Sequence, residues 1–323
     1  MKIISLTLSL TIYFSWSSFT QCNNPHPDYE ALMVFYNSTD GPNWGDNKGW
    51  KEGAENSSCN PCNFNGRPWS KIVCSNNRVR TIRMIQNKVK GQLPNEISNL
   101  DNLIYLDLTQ NELSGEIPPE LAEMKSLEAL VLVGNQFRGG IPKELFEVEL
   151  LTDIRLSSNE LTGEIPKEIL NAINLVRVGL RNNMLSGEIP KLSKLTKLKG
   201  FDVSENNLTG KLPKEFSELI NLGSIDVSKN KLSGTLPNNI FDLKNLSFLN
   251  LENNEFEGEI PTGIGNATEL TNFLLSYNKF NGFIPSQIGN ALNLKFITLD
   301  NNLFTGNIRD CSSKCVFLTL ANE

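Results

Sequence analysis

The sequence holds one histidine among 323 residues, no excess of positive charge, and no later apolar run long enough to span a bilayer. Each scarcity removes a class of function. The single His26 lies between Pro25 and Pro27, which leaves no basis for a histidine general base or a histidine-rich metal site. Acids outnumber bases by 36 to 30, giving a formal charge of −6. A nucleic-acid binder needs a clustered basic footprint instead. No G-x-S-x-G, H-E-x-x-H, P-loop or G-x-G-x-x-G pattern occurs, so no catalytic residue, cofactor or metal is expected.

What is present begins at the N-terminus. Met1-Lys2 precede an apolar stretch from Ile3 to Phe14, then small and polar residues to Thr20. This pattern predicts a secretory signal peptide over residues 1–20. A membrane anchor takes roughly 20 predominantly apolar residues, and Ser5, Thr7, Ser9 and Thr11 interrupt this stretch. The mature chain is expected to be secreted, extracellular and without a membrane span, with its cysteines oxidised.

A strong internal repeat follows. Asparagines close an L-x-L-type unit at Asn87, Asn111, Asn135, Asn159, Asn183, Asn206, Asn230, Asn254, Asn278 and Asn302, with eight steps of 24 residues and one of 23. Taking each Asn as zero, apolar residues recur at −8, −5, −3 and +2, as Leu103, Leu106, Leu108 and Leu113 do around Asn111. Glycine stands at +4 in all ten copies and proline at +7 in nine, Arg309 being the exception. A fixed period of this length marks a solenoid.

The unit L-x-x-L-x-L-x-x-N-x-L-x-G-x-[I/L]-P, read in LDNLIYLDLTQNELSGEIP and LTDIRLSSNELTGEIP, resembles the plant-type leucine-rich repeat over residues 79–309. The resemblance implies an α/β solenoid: a leucine-rich-repeat superhelix with a parallel β-sheet on its concave face and a 3-10 or irregular convex side. The L-x-L leucines then alternate inward along a short strand. The Asn amide is expected to pair with backbone inside the turn. Glycine at +4 permits a positive φ and proline at +7 ends strand pairing. A single coil cannot hold its fold alone, so neighbours must stack. The 23-residue step lies where Pro190-Lys191-Leu192 lacks a residue relative to Pro166-Lys167-Glu168-Ile169. A local change of curvature with an unbroken sheet is expected there.

Solenoid ends need covers. Residues 21–78 are expected to form a cysteine- and tryptophan-containing N-terminal cap, and residues 310–323 a C-terminal disulfide cap. In the first, Asp28 is placed as N-cap of a short helix that turns Tyr29, Leu32 and Tyr36 or Met33 inward. Trp69-Ser-Lys-Ile72-Val-Cys74 is similar to the W-x-G-[V/I]-x-C of plant-type caps, with Lys71 in place of Gly. The stretch Asp40-Gly-Pro-Asn-Trp44 looks more like the caps of protist and bacterial relatives. Cys59-x-x-Cys62 could be redox or half of a zinc site, but ten coils at about 4.8 Å set it roughly 45 Å from Cys311 and Cys315. Structural disulfides are expected, with Cys22, Cys59, Cys62 and Cys74 pairing at one end and Cys311 with Cys315 at the other. Among the three connectivities at the first end, the resemblance implies Cys22–Cys59 and Cys62–Cys74. Sequons at Asn37, Asn56, Asn207, Asn245 and Asn266 mark candidate glycosylation sites.

Function on this scaffold is expected on the outward positions of the concave sheet. Those positions present Tyr105 and Val131 in the first coils, Arg155, Arg177 and Arg181 in the middle, and Phe248, Leu274, Tyr277 and Phe296 in the last. Aromatics on neighbouring strands resemble the anchors of a binding hot spot, whereas the arginines divide evenly between ligand contacts and pairing with nearby acids. The expected function is recognition of an extracellular protein or glycan ligand by a monomer. The repeat number and secretion resemble the polygalacturonase-inhibiting proteins, so inhibition of a secreted hydrolase is one candidate role. Adhesion, or service as the ligand-binding partner of a membrane receptor, is the alternative. Ice binding calls for a flat row of small hydroxyls, and the concave rows carry charges and aromatics instead.

Overall fold

The computed structural model describes residues 25–55 and 58–305 and the backbone of 318–319. Successive coils each lay down one three-residue concave strand, from Tyr105–Asp107 and Ala129–Val131 to Phe296–Thr298. Parallel pairing joins these strands to Arg78–Arg83 on one side and Leu318–Thr319 on the other. Ile72–Ser75 pairs antiparallel with Arg78–Arg83 and completes a 12-stranded sheet. The central residue of each strand, such as Leu106, Ile154 or Phe273, points into the core and is fully buried.

Two smaller four-stranded sheets run along one flank, an addition to the expected architecture. They start at Lys90–Gln92 and Ser233–Gly234 and use the residues around the repeating glycine. The glycines make the turn there: Gly163 and Gly187 have φ of 79° and 78°, a region closed to most side chains. On the convex side, 3-10 helices such as Asn95–Asn99 and Lys214–Glu218 each start directly after the repeating proline. The proline ring fixes an extended entry and removes an N–H that would have no ladder partner.

The shortened coil follows the expectation for the sheet. Arg177–Gly179 and Gly200–Asp202 remain paired in register. Residues 191–199 carry no 3-10 helix, and Leu192 takes a left-handed φ of 54° while staying buried.

The repeating asparagines supply the internal wiring. Asn183 donates through Nδ2 to the carbonyls of Leu156 and Leu180, both at 3.0 Å, and its Oδ1 accepts the N–H of Leu161 at 3.0 Å. Each side chain thus ties its own turn to the preceding coil and satisfies backbone groups that would otherwise be orphaned.

The N-terminal cover is an aromatic stack. Helix α1 (Tyr29–Ser38) buries Tyr29, Ala31, Leu32, Met33, Phe35 and Tyr36. Trp50 lies 5.0 Å from Trp44 and 5.3 Å from Trp69 between ring centroids, and its Nε1 donates to the Ser70 carbonyl at 2.8 Å. Cys62 and Cys74 are joined at 2.06 Å, and Cys59 is also disulfide-bonded. Cys22, Cys311 and Cys315 lie outside the described residues, as do residues 1–20, expected to be a signal peptide, and residues 310–323, expected to be the C-terminal cap, apart from the backbone of 318–319.

One expectation for the cap is corrected. Asp28 precedes α1 without a side-chain capping bond. Its carboxylate instead accepts from Arg78 Nη2 at 2.7 Å and the Val79 N–H at 2.7 Å. A charged partner plus a buried N–H outweighs one helix-end amide. Asp28 therefore fastens α1 to the first strand.

Candidate concave binding face

Register fixes which outward residues are neighbours. At −6 the row runs Tyr105, Ala129, Asp153, Arg177, Gly200, Ser224, Phe248, Asn272, Phe296. At −4 it runs Asp107, Val131, Arg155, Gly179, Asp202, Asp226, Asn250, Leu274, Thr298 along the same ladders.

One expectation fails on this geometry. Val131 is 5% exposed, set in register between Asp107 and Arg155, so it offers no contact surface. Phe248 and Phe296 stand two strands apart with Asn272 between them, roughly 10 Å from one another.

The arginines pair with acids. Arg155 grips Asp153 with both ends of its guanidinium, Nε to Oδ1 at 2.9 Å and Nη2 to Oδ2 at 2.6 Å. Arg177 reaches the same carboxylate at 3.4 Å. Arg181 and Lys229 share Glu205 at 2.9 and 2.8 Å. Lys229, and then Arg181, hold the Glu205 carboxyl below its ordinary range, and the Asp153 bond holds the Arg155 guanidinium charged. The cations remain open to solvent, with side-chain exposures of 42% for Arg155, 60% for Arg177 and 52% for Arg181. Each guanidinium has five donors, so N–H groups remain for a ligand. Gly179 stands between Arg177 and Arg181 along its own strand, and Gly200 is in register with Arg177 on the next. Neither puts a side chain on the sheet; around Gly200 nothing lies within 4 Å of where a Cβ would stand, whereas at Gly179 the Ser157 hydroxyl and the Arg155 stem come to 3.4 and 3.7 Å.

Several residues that organise the face were missed. Asp107, Asp202 and Asp226 each accept both the N–H and the hydroxyl of the residue two ahead, as Asp202 Oδ1 does from Ser204 at 3.1 and 2.6 Å. The repeated D-x-[S/T] was a readable signal, because short polar side chains close such turns. Burial pushes the Asp202 carboxyl up, with the Asp226 charge adding to it. Further on, Thr298 donates to Glu252 at 2.6 Å and Ser276 to Asp300. Burial, then the Asp107 charge, pushes the Tyr105 hydroxyl up.

The last coils carry apolar surface: Tyr277 is 54% and Phe296 51% exposed, while Phe248 and Leu274 are half-buried. Tyr277 holds a left-handed φ of 59°, a costly conformation for an aromatic residue. Asn37, Asn207, Asn245 and Asn266 are exposed, and Asn56 lies outside the described residues. Among the described residues, no helix is long and apolar enough to cross a membrane and no acidic, Cys or His cluster could hold a metal.

Comparison with known proteins agrees with this architecture. The Leucine Rich Repeat family pattern matches residues 102–124, 197–219, 221–243 and 245–267, and the fold is a leucine-rich-repeat solenoid. A probable leucine-rich-repeat receptor-like protein kinase of Arabidopsis thaliana is 40% identical over 83 residues, 25% of this chain and 7% of that protein. The plant peptide hormone receptor RGFR1 in complex with RGF2 is 35% identical, with a TM-score of 0.64 over 75% of this chain and 43% of the receptor chain. A plant ice-binding protein is 26% identical, with a TM-score of 0.75 over 88% of both chains. The chain therefore spans under half the length of that kinase and of that receptor chain.

Proposed function

We propose that this protein is an extracellular, non-enzymatic recognition module that binds an extended segment of a protein or peptide ligand along its concave face. The observation that carries this reading is the pair of outward glycines on neighbouring strands, Gly179 beside Arg155 and Gly200 beside Arg177, with Arg181 further along the Gly179 strand and Phe248 and Phe296 further across the sheet. A side-chain-free strip lets a ligand backbone approach, guanidinium forks fix its polar groups, and the aromatics anchor its apolar end. The likeness to a receptor solved with its peptide hormone supports ligand recognition as the general role. Inhibition of a secreted hydrolase draws no support from these relatives. Residues 1–20 act in this reading as a cleaved signal, and the exposed sequon asparagines carry glycans. Binding of a displayed peptide library tests the reading: selected peptides should lose affinity with Arg177→Ala and Phe248→Ala. Peptides insensitive to both changes would refute it.

A second reading has its own observation. On the flank, Thr162, Ser186, Thr209 and Ser233 occupy the +3 position of four successive coils, and each N–H donates to the glycine carbonyl of the coil before. Such a row, on a scaffold similar to a plant ice-binding protein, fits an ordered-water surface. Thermal hysteresis lost on Thr209→Lys would favour it; a solution freezing without hysteresis would remove it.

A further inference from the structure

The shortened coil carries an electrostatic anomaly as well as a geometric one. From its glycine to the start of the next concave strand, residues 187–199 hold four lysines against Glu188, a net charge of +3. The eight equivalent segments of the described coils run from −3 to +1. The missing residue explains part of the difference. Where this coil reads Pro190-Lys191-Leu192, five others place a glutamate two residues after the proline: Glu96, Glu120, Glu144, Glu168 and Glu215. In three of these the glutamate directly follows a lysine (Lys143, Lys167 and Lys214); in the shortened coil the lysine stays and the carboxylate is gone, together with the 3-10 helix.

Lys191, Lys194, Lys197 and Lys199 are all exposed, while Leu192, Leu195 and Leu198 between them are fully buried. The buried leucines hold the four ammonium groups in a stripe that follows one coil around the outside of the solenoid. Lys191 meets Glu215 at 3.5 Å, and Lys197 donates only to the neutral Asn174 amide at 2.6 Å. Lys194 and Lys199 have no ion pair or side-chain hydrogen bond among the described residues.

We propose that this lysine stripe is a binding surface for a linear acidic polysaccharide, one carrying carboxylate or sulfate groups along its chain. Ammonium groups are compact, strongly hydrated point charges suited to a repeating anion rather than to one shaped ligand. The stripe is one coil wide, about 5 Å between neighbouring strands. Glu164, Lys167 and Glu168 border it on one side and Lys211, Lys214, Glu215 and Glu218 on the other, so neither flank carries a net positive charge. A planar anionic membrane would meet those acids together with the lysines; a single thin chain would not. The exposed apolar neighbours are Ile173 and Ile220, not aromatics, so the stacking platform typical of single-stranded nucleic-acid sites is missing. Lys191, Lys194 and Lys197 lie off the concave sheet, and Lys199 stands at its edge beside Gly200; the proposal does not rest on the peptide reading above.

The test uses the full-length protein and immobilised heparin and alginate, with uncharged dextran as control. At low salt the protein should bind both acidic polymers and not dextran, and binding should weaken as salt is raised. The triple change Lys194→Glu, Lys197→Glu, Lys199→Glu should lower affinity at least about tenfold, with Lys→Gln at the same positions giving a smaller loss. Lys125→Glu with Lys143→Glu, on acidic coils, should change it little. Melting temperatures of the exposed-site variants check that the fold is kept, and the glutamine set serves if charge reversal disturbs it. Equal binding to dextran, an unchanged affinity in both lysine sets, or stronger binding to anionic lipid vesicles than to either polysaccharide would overturn the proposal.

Discussion

Asn183→Ala tests the internal wiring of the solenoid. The side chain is 8% exposed. Its removal orphans the Leu161 N–H and the carbonyls of Leu156 and Leu180, each bonded to it at 3.0 Å. Alanine is too small to replace the amide and leaves little room for water. At about 1–3 kcal/mol per unsatisfied buried group, the loss for the three groups should be roughly 3–9 kcal/mol. Because each coil rests only on its neighbours, the damage should be local first. Hydrogen exchange should show lost protection in residues of the coils on either side of Asn183 before the ends respond. Asn183→Asp adds a sign test. It keeps an acceptor for Leu161 but turns a carboxylate oxygen toward carbonyls, so its folded pKa must lie above the unfolded value of about 3.9. Its destabilisation is therefore present at neutral pH and relieved as pH falls through the folded pKa. Urea unfolding followed by circular dichroism measures both variants. A loss below about 1 kcal/mol for Asn183→Ala, or an Asp variant that worsens on acidification, would refute the reasoning.

Four further outcomes follow from the same geometry. Lys71 stands at φ 63° where similar caps use glycine, so Lys71→Gly should raise stability by up to about 1 kcal/mol in thermal unfolding. Asp28→Ala should cost about 2–4 kcal/mol, since it strips the Val79 N–H and half-buried Arg78 of their partner. Gly163 has open space where a Cβ would go, whereas a Cβ at Gly91 would meet the Ser38 carbonyl oxygen at 2.3 Å. Gly163→Ala should then cost about 1–2 kcal/mol from its φ alone, and Gly91→Ala clearly more, in parallel melts. Asp202 is raised by burial, so its ionised form is a cost that grows as pH rises from the unfolded value through the folded one. Asp202→Asn should therefore gain stability relative to wild type at pH 7 and lose that advantage near pH 3.

Much of the fold was legible because a solenoid writes its contacts at a fixed spacing. Asn, Gly and Pro mark residues whose partners lie one coil away, so position in the repeat predicts burial, left-handed backbone and helix start. Features with long-range partners were not legible. Asp28 joins Arg78 across 50 residues, and local spacing offers only a helix cap. The flanking sheets use the same leucine and glycine positions as the expected turns, so their extra pairing adds no signature. Within the candidate site, the outward rows were readable by register, including Asn272 between Phe248 and Phe296, but burial was not. Val131 is outward by parity and buried by its strand neighbours.

The central claim is that the concave face is the ligand surface, and surface-resolved binding tests it most directly. Affinities of library-selected peptides should be measured against wild-type protein, concave variants Arg155→Ala, Arg177→Ala and Phe248→Ala, and the convex variant Lys125→Glu. A loss of about tenfold or more, 1.4 kcal/mol, is expected for at least one concave variant and none for the convex one. Peptides that bind all three concave variants as tightly as wild type would contradict it.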